Sequence, residues 1–321
     1  MRACVLDGTQ VRIDRDRAAP RPGPGEALVR PVVVGLSALD RAGLGNPEKS
    51  PRVLGHEFVG VVEHVEGQHA PSIVGRRVAC APDVVCGACD MCRSGLALHC
   101  RSRKVIGVDG RDGALAEWVV VPASNLAPLP ESVPDDAGVF AVAISAAVQA
   151  AERIAGRDGA FVTVLGAGAE AVLTAQVVAG INASVRLVSG AKPALDACER
   201  LGVTARHVEE AGQRADQDVV IDCTASARGA RTALRMLRPR GTLVLQGVPP
   251  DEALDLAVVV DREIEILGSR RAPIGRAVDL LARGRVSVEG LITRRVALEQ
   301  APLAFQRIDE PGELKIVVDI R

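Results

Sequence analysis

From Ala3 to about Val121 the apolar positions come in short runs cut by Pro and Gly. Ala27–Val34, Phe58–Val62, Arg77–Cys80 and Ala116–Val121 are rich in valine and bounded by turn residues such as Pro22-Gly-Pro-Gly25, which predicts β-strands. From about Ser145 the texture changes. Strand-like runs at Phe161–Leu165, Val185–Val188, Asp218–Ile221 and Thr242–Leu245 alternate with helical stretches through Val178, from Pro193 to Leu201 and up to Leu237. Such alternation predicts a parallel, doubly wound α/β sheet. After about Ala282 strand-like runs return, at Gly290–Thr293 and Leu314–Val318, so the end of the chain is expected to rejoin the first part. The predicted domains are therefore 1–143 with 282–321, mainly β, and 144–281, α/β.

With 321 residues, 48% of them hydrophobic, the chain can fill the cores of two ordinary domains. Its 39 basic and 40 acidic residues are spread along the chain, so neither nucleic acid nor an anionic membrane is an expected partner. The most apolar window, Ala137–Ala151, is shorter than the roughly 20 residues of a membrane helix, and the start lacks a signal-like pattern. Residence in the cytoplasm is the expectation. Aromatic residues make up only 2% and there is no Tyr, which removes tyrosine as a catalytic acid.

Half of the eight cysteines fall in one short lobe, about residues 84–103, where Cys86, Cys89, Cys92 and Cys100 form a C-x2-C-x2-C-x7-C pattern. Thiolates at this spacing can converge on one ion and close a tetrahedron with no open position, which points to a single structural zinc. A disulfide pair is the competing reading, disfavoured by the crowding and by a reducing compartment. Cys4, Cys80, Cys198 and Cys223 stand in apolar contexts and are expected to be buried small hydrophobes.

Directly after the run ending at Leu165 comes Gly166-Ala-Gly168-Ala169-Glu-Ala171, opening an Ala-rich helix. Gly166 permits a tight turn, Gly168 and Ala169 let the backbone approach a pyrophosphate, and Ala171 allows close helix packing at the positive end of the helix. Glu170 is expected to face solvent. The next strand ends in Ser189-Gly190-Ala-Lys192, with no acid there to repel a 2′-phosphate. Ser189, Gly190 and Lys192, or Arg186 if it turns inward, could receive one, so NADP(H) is favoured over NAD(H).

Several stretches in order complete a resemblance covering nearly the whole chain: Gly55-His-Glu57 followed by Phe58–Val62, the cysteine lobe, Asp112–Glu117, the Gly166 loop, Asp218–Asp222, Arg240–Pro249 and Leu314–Val317. The chain resembles the zinc-containing alcohol dehydrogenases of the medium-chain dehydrogenase/reductase family. The resemblance implies an α/β protein with a GroES-like, mainly β catalytic domain interrupted by a Rossmann domain, with substrate and nicotinamide meeting in the cleft between them. It also implies a small-molecule substrate and a homodimer or homotetramer. In that family a second, catalytic zinc is held by a cysteine, by the His of Gly-His-Glu and by a further Cys or Glu. The aligned positions here are Ser37, His56 and Val142, and Leu39 stands where a hydroxyl residue would pass a proton. A neutral hydroxyl binds zinc far more weakly than a thiolate and valine cannot bind it, so the catalytic zinc is expected to be absent. The candidate catalytic residues are His56 as proton donor, Asp40 orienting it, Ser37 as a hydrogen-bond relay and Glu57 as a tuning or substitute group. Hydride chemistry would then suit an activated alkene, imine or carbonyl. Two alternatives stay open: a conventional zinc alcohol dehydrogenase, and a nucleotide-binding pseudoenzyme in which His56 and Glu57 only pack. Ala42, with Leu39, Val142 and Arg271, is expected near the substrate.

Overall fold

The computed structural model describes residues 1–37, 39–40, 52–67, 73–157, 159–182, 184–212, 214–247 and 256–320. Ala42 and the Val248-Pro249 end of one family-like stretch lie outside the described residues. The chain divides into two compact units, 1–142 with 292–321, and 143–291. No described helix is long and apolar enough to cross a membrane.

The first unit is built on the strand Glu26–Gly35, which pairs antiparallel with Glu57–Val65, Val119–Pro122 and Ile316–Asp319. Its second half, Pro31–Gly35, is buried at every position, which is why it reads as a continuous apolar run rather than an alternation. Arg77–Cys80 and Leu126–Pro128 extend the sheet on one side, and Arg294–Ala297 runs parallel to Ile316–Asp319 on the other. Leu6, Leu54, Phe58, Ile106, Leu115 and Phe305 fill the core beneath it.

Two sequence expectations shift here. The run Gly290–Thr293 is not a strand: Leu291 is fully buried as a single anchor, and the ladder starts at Arg294. Residues 283–291 also stay with the second unit instead of leaving it near 282. The Gln176 amide donates to the Ser287 carbonyl at 2.9 Å and its oxygen accepts from the Ser287 N–H at 3.0 Å, tying this segment to the helix Ala169–Ala179.

The second unit carries six parallel strands in the spatial order Thr204–His207, Val185–Ser189, Val162–Leu165, Gln217–Asp222, Leu237–Leu245 and Glu265–Gly268. In chain order that is 3-2-1-4-5-6, so the direction of winding reverses between Val162–Leu165 and Gln217–Asp222. Helices Ala169–Ala179, Lys192–Arg200 and Ala227–Met236 make three of the crossovers, and Leu256–Asp261 lies in the one that leads to the last strand. The first of these is buried over most of its length, which explains its small side chains; the third starts at Ser226, whose hydroxyl accepts from the Gly229 N–H at 3.0 Å.

Candidate active site and metal centre

Within the first unit the cysteine lobe is folded around a short helix, Asp90–Arg93, pinned by Arg101 to Asp90 at 2.6 and 2.7 Å. The Sγ atoms of Cys86, Cys89, Cys92 and Cys100 all lie within 4.8 Å of one another. Four of the separations are 3.5 Å (Cys89–Cys92 and Cys86–Cys100), 3.9 Å (Cys89–Cys100) and 4.0 Å (Cys86–Cys92). Thiolates about 2.3 Å from a central ion stand about 3.8 Å apart along the edges of a tetrahedron, so the lobe has the dimensions of a zinc cage. A disulfide would need sulfurs at about 2.05 Å. Backbone N–H groups of Arg101 and Cys92 draw the Cys89 thiol down to about 6, and those of Ala88 and Cys89 lower Cys86, which favours the thiolate that a cation needs. Desolvation pushes Cys92 up to about 12. The cysteines outside the lobe behave differently: burial raises Cys4 and Cys198 to about 12 and Cys80 higher still, marking them as inert packing residues. Cys223 is half-buried and donates to Gln246 Oε1 at 2.7 Å.

In the second unit the turn after Val162–Leu165 lies at the reversal of strand order. A Cβ on Gly166 would come within 2.7 Å of the Ala171 Cβ and 3.1 Å of the Cys223 Cβ, so glycine is what lets the helix start this close to the strand. Gly168 is the extended N-cap residue and gives no side-chain bond to the first turn. Ala169 and Ala171 are buried and Glu170 is exposed. The end of an eleven-residue helix without a side-chain cap is a fitting seat for a pyrophosphate. At the end of the neighbouring strand the Ser189 hydroxyl accepts from the Ala191 N–H at 3.0 Å, Gly190 is exposed, and Lys192 reaches Asp196 at 2.7 Å. Arg186 does not turn toward this end. Its guanidinium lies 4.9 Å over the Phe161 ring and its Nε donates to Thr163 Oγ1 at 3.1 Å, which leaves Ser189, Gly190 and Lys192 without it.

His56 sits in the first unit at the entry to Glu57–Val65, placed there by Gly55. The Gly55 φ of +93° is open to glycine, and a Cβ would press 2.8 Å from Leu115 Cγ. Across from it, Ser37 and Asp40 follow the central strand. Asp40 Oδ2 accepts from the Ser37 N–H at 3.0 Å and from its hydroxyl at 3.2 Å, while Asp40 Oδ1 faces His56 Nδ1 at 2.8 Å. The carboxylate therefore assigns the ring proton to Nδ1. His56 Nε2 stands 3.9 Å from Glu57 Oε1, and Glu57 Oε2 receives the Lys315 ammonium. Ser37, Asp40, His56, Glu57 and Lys315 are all buried. The result is a line of alternating donors and acceptors that can hold an imidazole in one orientation and stabilise it when protonated.

The Ser37 hydroxyl is already committed. It donates to Asp40 and accepts from the N–H groups of Leu39 at 3.2 Å and Asp40 at 3.4 Å. Val142 is buried and aliphatic. Among the described residues, the cysteine lobe is the only group of three or more His, Cys, Asp or Glu side chains whose ligand atoms gather closely enough for one metal ion.

Lys315 and Asp222 were not singled out from sequence. A cation inside the apolar run Leu314–Val318 is the signal that could have found Lys315, since a lysine in a buried strand needs an anion. Asp222 ends its strand with no exposure; Oδ1 accepts from the Thr224 N–H at 2.8 Å, Oδ2 has no hydrogen-bond partner among the described residues, and burial raises the carboxyl above its usual range.

Residues 23–131 match the alcohol dehydrogenase GroES-like domain and residues 138–283 the zinc-binding dehydrogenase domain. D-xylulose reductase A of Aspergillus niger is 30% identical over an alignment covering 98% of this chain and 95% of that protein. A protein of Sinorhizobium meliloti 1021 named as a zinc-binding dehydrogenase and solved with NADP superposes with a TM-score of 0.90 at 30% identity, over 99% of both chains. An alcohol dehydrogenase of Escherichia coli CFT073 complexed with NADH superposes at 0.87 with 25% identity, over 100% of this chain and 99% of that one.

Proposed function

The chain belongs to the alcohol dehydrogenase-like branch of the medium-chain dehydrogenase/reductase family and is an NAD(P)-dependent oxidoreductase, and we propose that it works without a catalytic zinc. The observation that carries this reading is the engagement of Ser37. Its oxygen, at the position of the family's thiolate ligand, already accepts two backbone N–H groups and gives its proton to Asp40. A zinc there would have to displace three hydrogen bonds to gain a neutral ligand, with Val142 offering none. The metal belongs instead to Cys86, Cys89, Cys92 and Cys100, one structural zinc per chain.

When bound, the nicotinamide supplies or accepts the hydride. The proton is the part of His56. Asp40 holds Nδ1–H and fixes the ring, so that the imidazolium can give up its Nε2 proton to the atom that receives the substrate's displaced electron pair, and the ring is reprotonated before the next turnover. Ser37 fixes Asp40, and Glu57, neutralised by Lys315, sets the field on the other side of the ring. Without a Lewis acid, several kcal/mol of transition-state stabilisation for an alkoxide is missing. The reading therefore favours a small substrate that polarises itself, such as an activated alkene, an imine or an activated carbonyl. NADP(H) is the preferred cofactor, supported by the absence of an acid at Ser189 and by Lys192 beside it, and the protein is a homodimer or homotetramer.

Metal analysis of the purified protein tests the central claim. About one zinc per chain, retained by Ser37→Ala and lost on substitution of the lobe cysteines, is expected; two zincs per chain overturn it. Measured affinities test the cofactor preference, which tighter binding of NADH than of NADPH would reverse.

A further inference from the structure

In the reading proposed above, the adenosine ribose of the dinucleotide sits at the carboxyl end of Val185–Ser189. A 2′-phosphate there meets few fixed donors. Arg186 is turned away over Phe161, and the exposed Lys192 ammonium is already shared between both oxygens of Asp196, at 2.7 and 2.8 Å. Ser189 offers one hydroxyl proton, since its oxygen accepts from the Ala191 N–H at 3.0 Å. One hydroxyl and one shared cation are a thin supply for a dianion with three acceptor oxygens. A further donor can come from the neighbouring strand.

That strand is Thr204–His207, at the edge of the parallel sheet. His207 is in register with Ser189, and the Val208 N–H donates to the Ser189 carbonyl at 2.9 Å, so the two strands stay joined through their last residues. Neighbouring strands lie about 4.8 Å apart, and residues in register direct their side chains to the same face. Both side chains are also held at the carboxyl edge in the same manner. Each accepts from the N–H two residues further on, Ser189 Oγ from Ala191 and His207 Nδ1 from Glu209 at 3.4 Å. A neutral ring whose Nδ1 accepts carries its proton on Nε2, so the outer nitrogen is a donor. The Glu209 carboxylate lies 3.7 Å from Nδ1, away from that donor, and is 85% exposed, so water screens its charge. His207 is half-buried, which limits the rotamer freedom it would lose on binding.

We propose, on the basis of the NADP(H) preference above, that His207 is a specificity-determining residue, its Nε2–H donating to the 2′-phosphate seated at Ser189 and Gly190. The experiment is a titration of the full chain with NADPH and with NADH, followed by the rise in nicotinamide emission, for the parent, His207→Ala and His207→Gln. His207→Ala should weaken NADPH binding about tenfold, the loss of one hydrogen bond to a charged group, and leave NADH binding within about twofold. His207→Gln, which keeps an N–H at similar reach, should recover most of that loss. A parent that prefers NADPH, with the same NADPH-to-NADH ratio in His207→Ala, overturns this role alone and leaves the cofactor preference standing. Equal weakening of both cofactors would mark His207 as a packing residue and overturns it as well. A parent that binds NADH as tightly as NADPH overturns the cofactor preference itself, and this role with it.

Discussion

Replacing Lys315 by methionine keeps the aliphatic stem and deletes the charge, and the structure fixes what that deletion costs. Glu57 is 1% exposed and Lys315 4%, so the carboxylate left behind can recruit almost no water. Breaking such a buried pair from one side costs about 3–5 kcal/mol, because one ion keeps its desolvation penalty and loses its partner. The Leu36 carbonyl, 3.3 Å from the ammonium, loses a donor as well, adding on the order of 1 kcal/mol. Removing both charges, Glu57→Met with Lys315→Met, should recover most of the loss, since a well-packed apolar pair is often neutral relative to a buried ion pair. Urea unfolding followed by Trp118 emission is the suitable assay: the single Trp and the ion pair lie in the same unit, so separate unfolding of the other unit does not blur the midpoint. A loss below about 1 kcal/mol for Lys315→Met, or a double variant no more stable than the single one, would refute the reasoning.

Three further outcomes are expected. Stripping the cysteine lobe with a strong chelator should lower the melting temperature and release about one zinc per chain, because four thiolates left without an ion repel one another; a protein whose melting is indifferent to chelation would contradict the cage. His56→Ala should lower kcat by about 10²–10⁴ while leaving NADPH affinity, read by fluorescence titration, near that of the parent. Burial raises the Asp222 carboxyl above 3.8, so its stabilising contribution is full below that value and is lost as pH rises through the higher folded value. Asp222→Asn should therefore stabilise the fold at pH 7 and give no gain near pH 3, read as the difference in melting temperature; a difference that does not vary with pH would count against this origin.

What the amino-acid order determines by itself is whatever chemistry closes within a few neighbouring residues. The cysteine lobe is legible because its four cysteines fall within one short segment, and the Gly166 loop is legible because strand, turn and helix follow one another directly. The alternation of runs was enough for four of the six strands of the second unit; Thr204–His207 and Glu265–Gly268, short and partly exposed at the two edges of the sheet, carry no comparable apolar run.

The tertiary structure alone decided the rest, because the partners are distant in the chain. Lys315 meets Glu57 across 258 positions, and nothing local to either residue specifies the other. Gln176 holds Ser287 across 111 positions, which moves the domain boundary beyond the point where the strand-like texture returns. Arg186 could face either way by sequence, and the Phe161 ring and Thr163 hydroxyl chose for it. Periodicity records which face of an element is buried, whereas the identity of the charge that must accompany a buried charge depends on packing between elements.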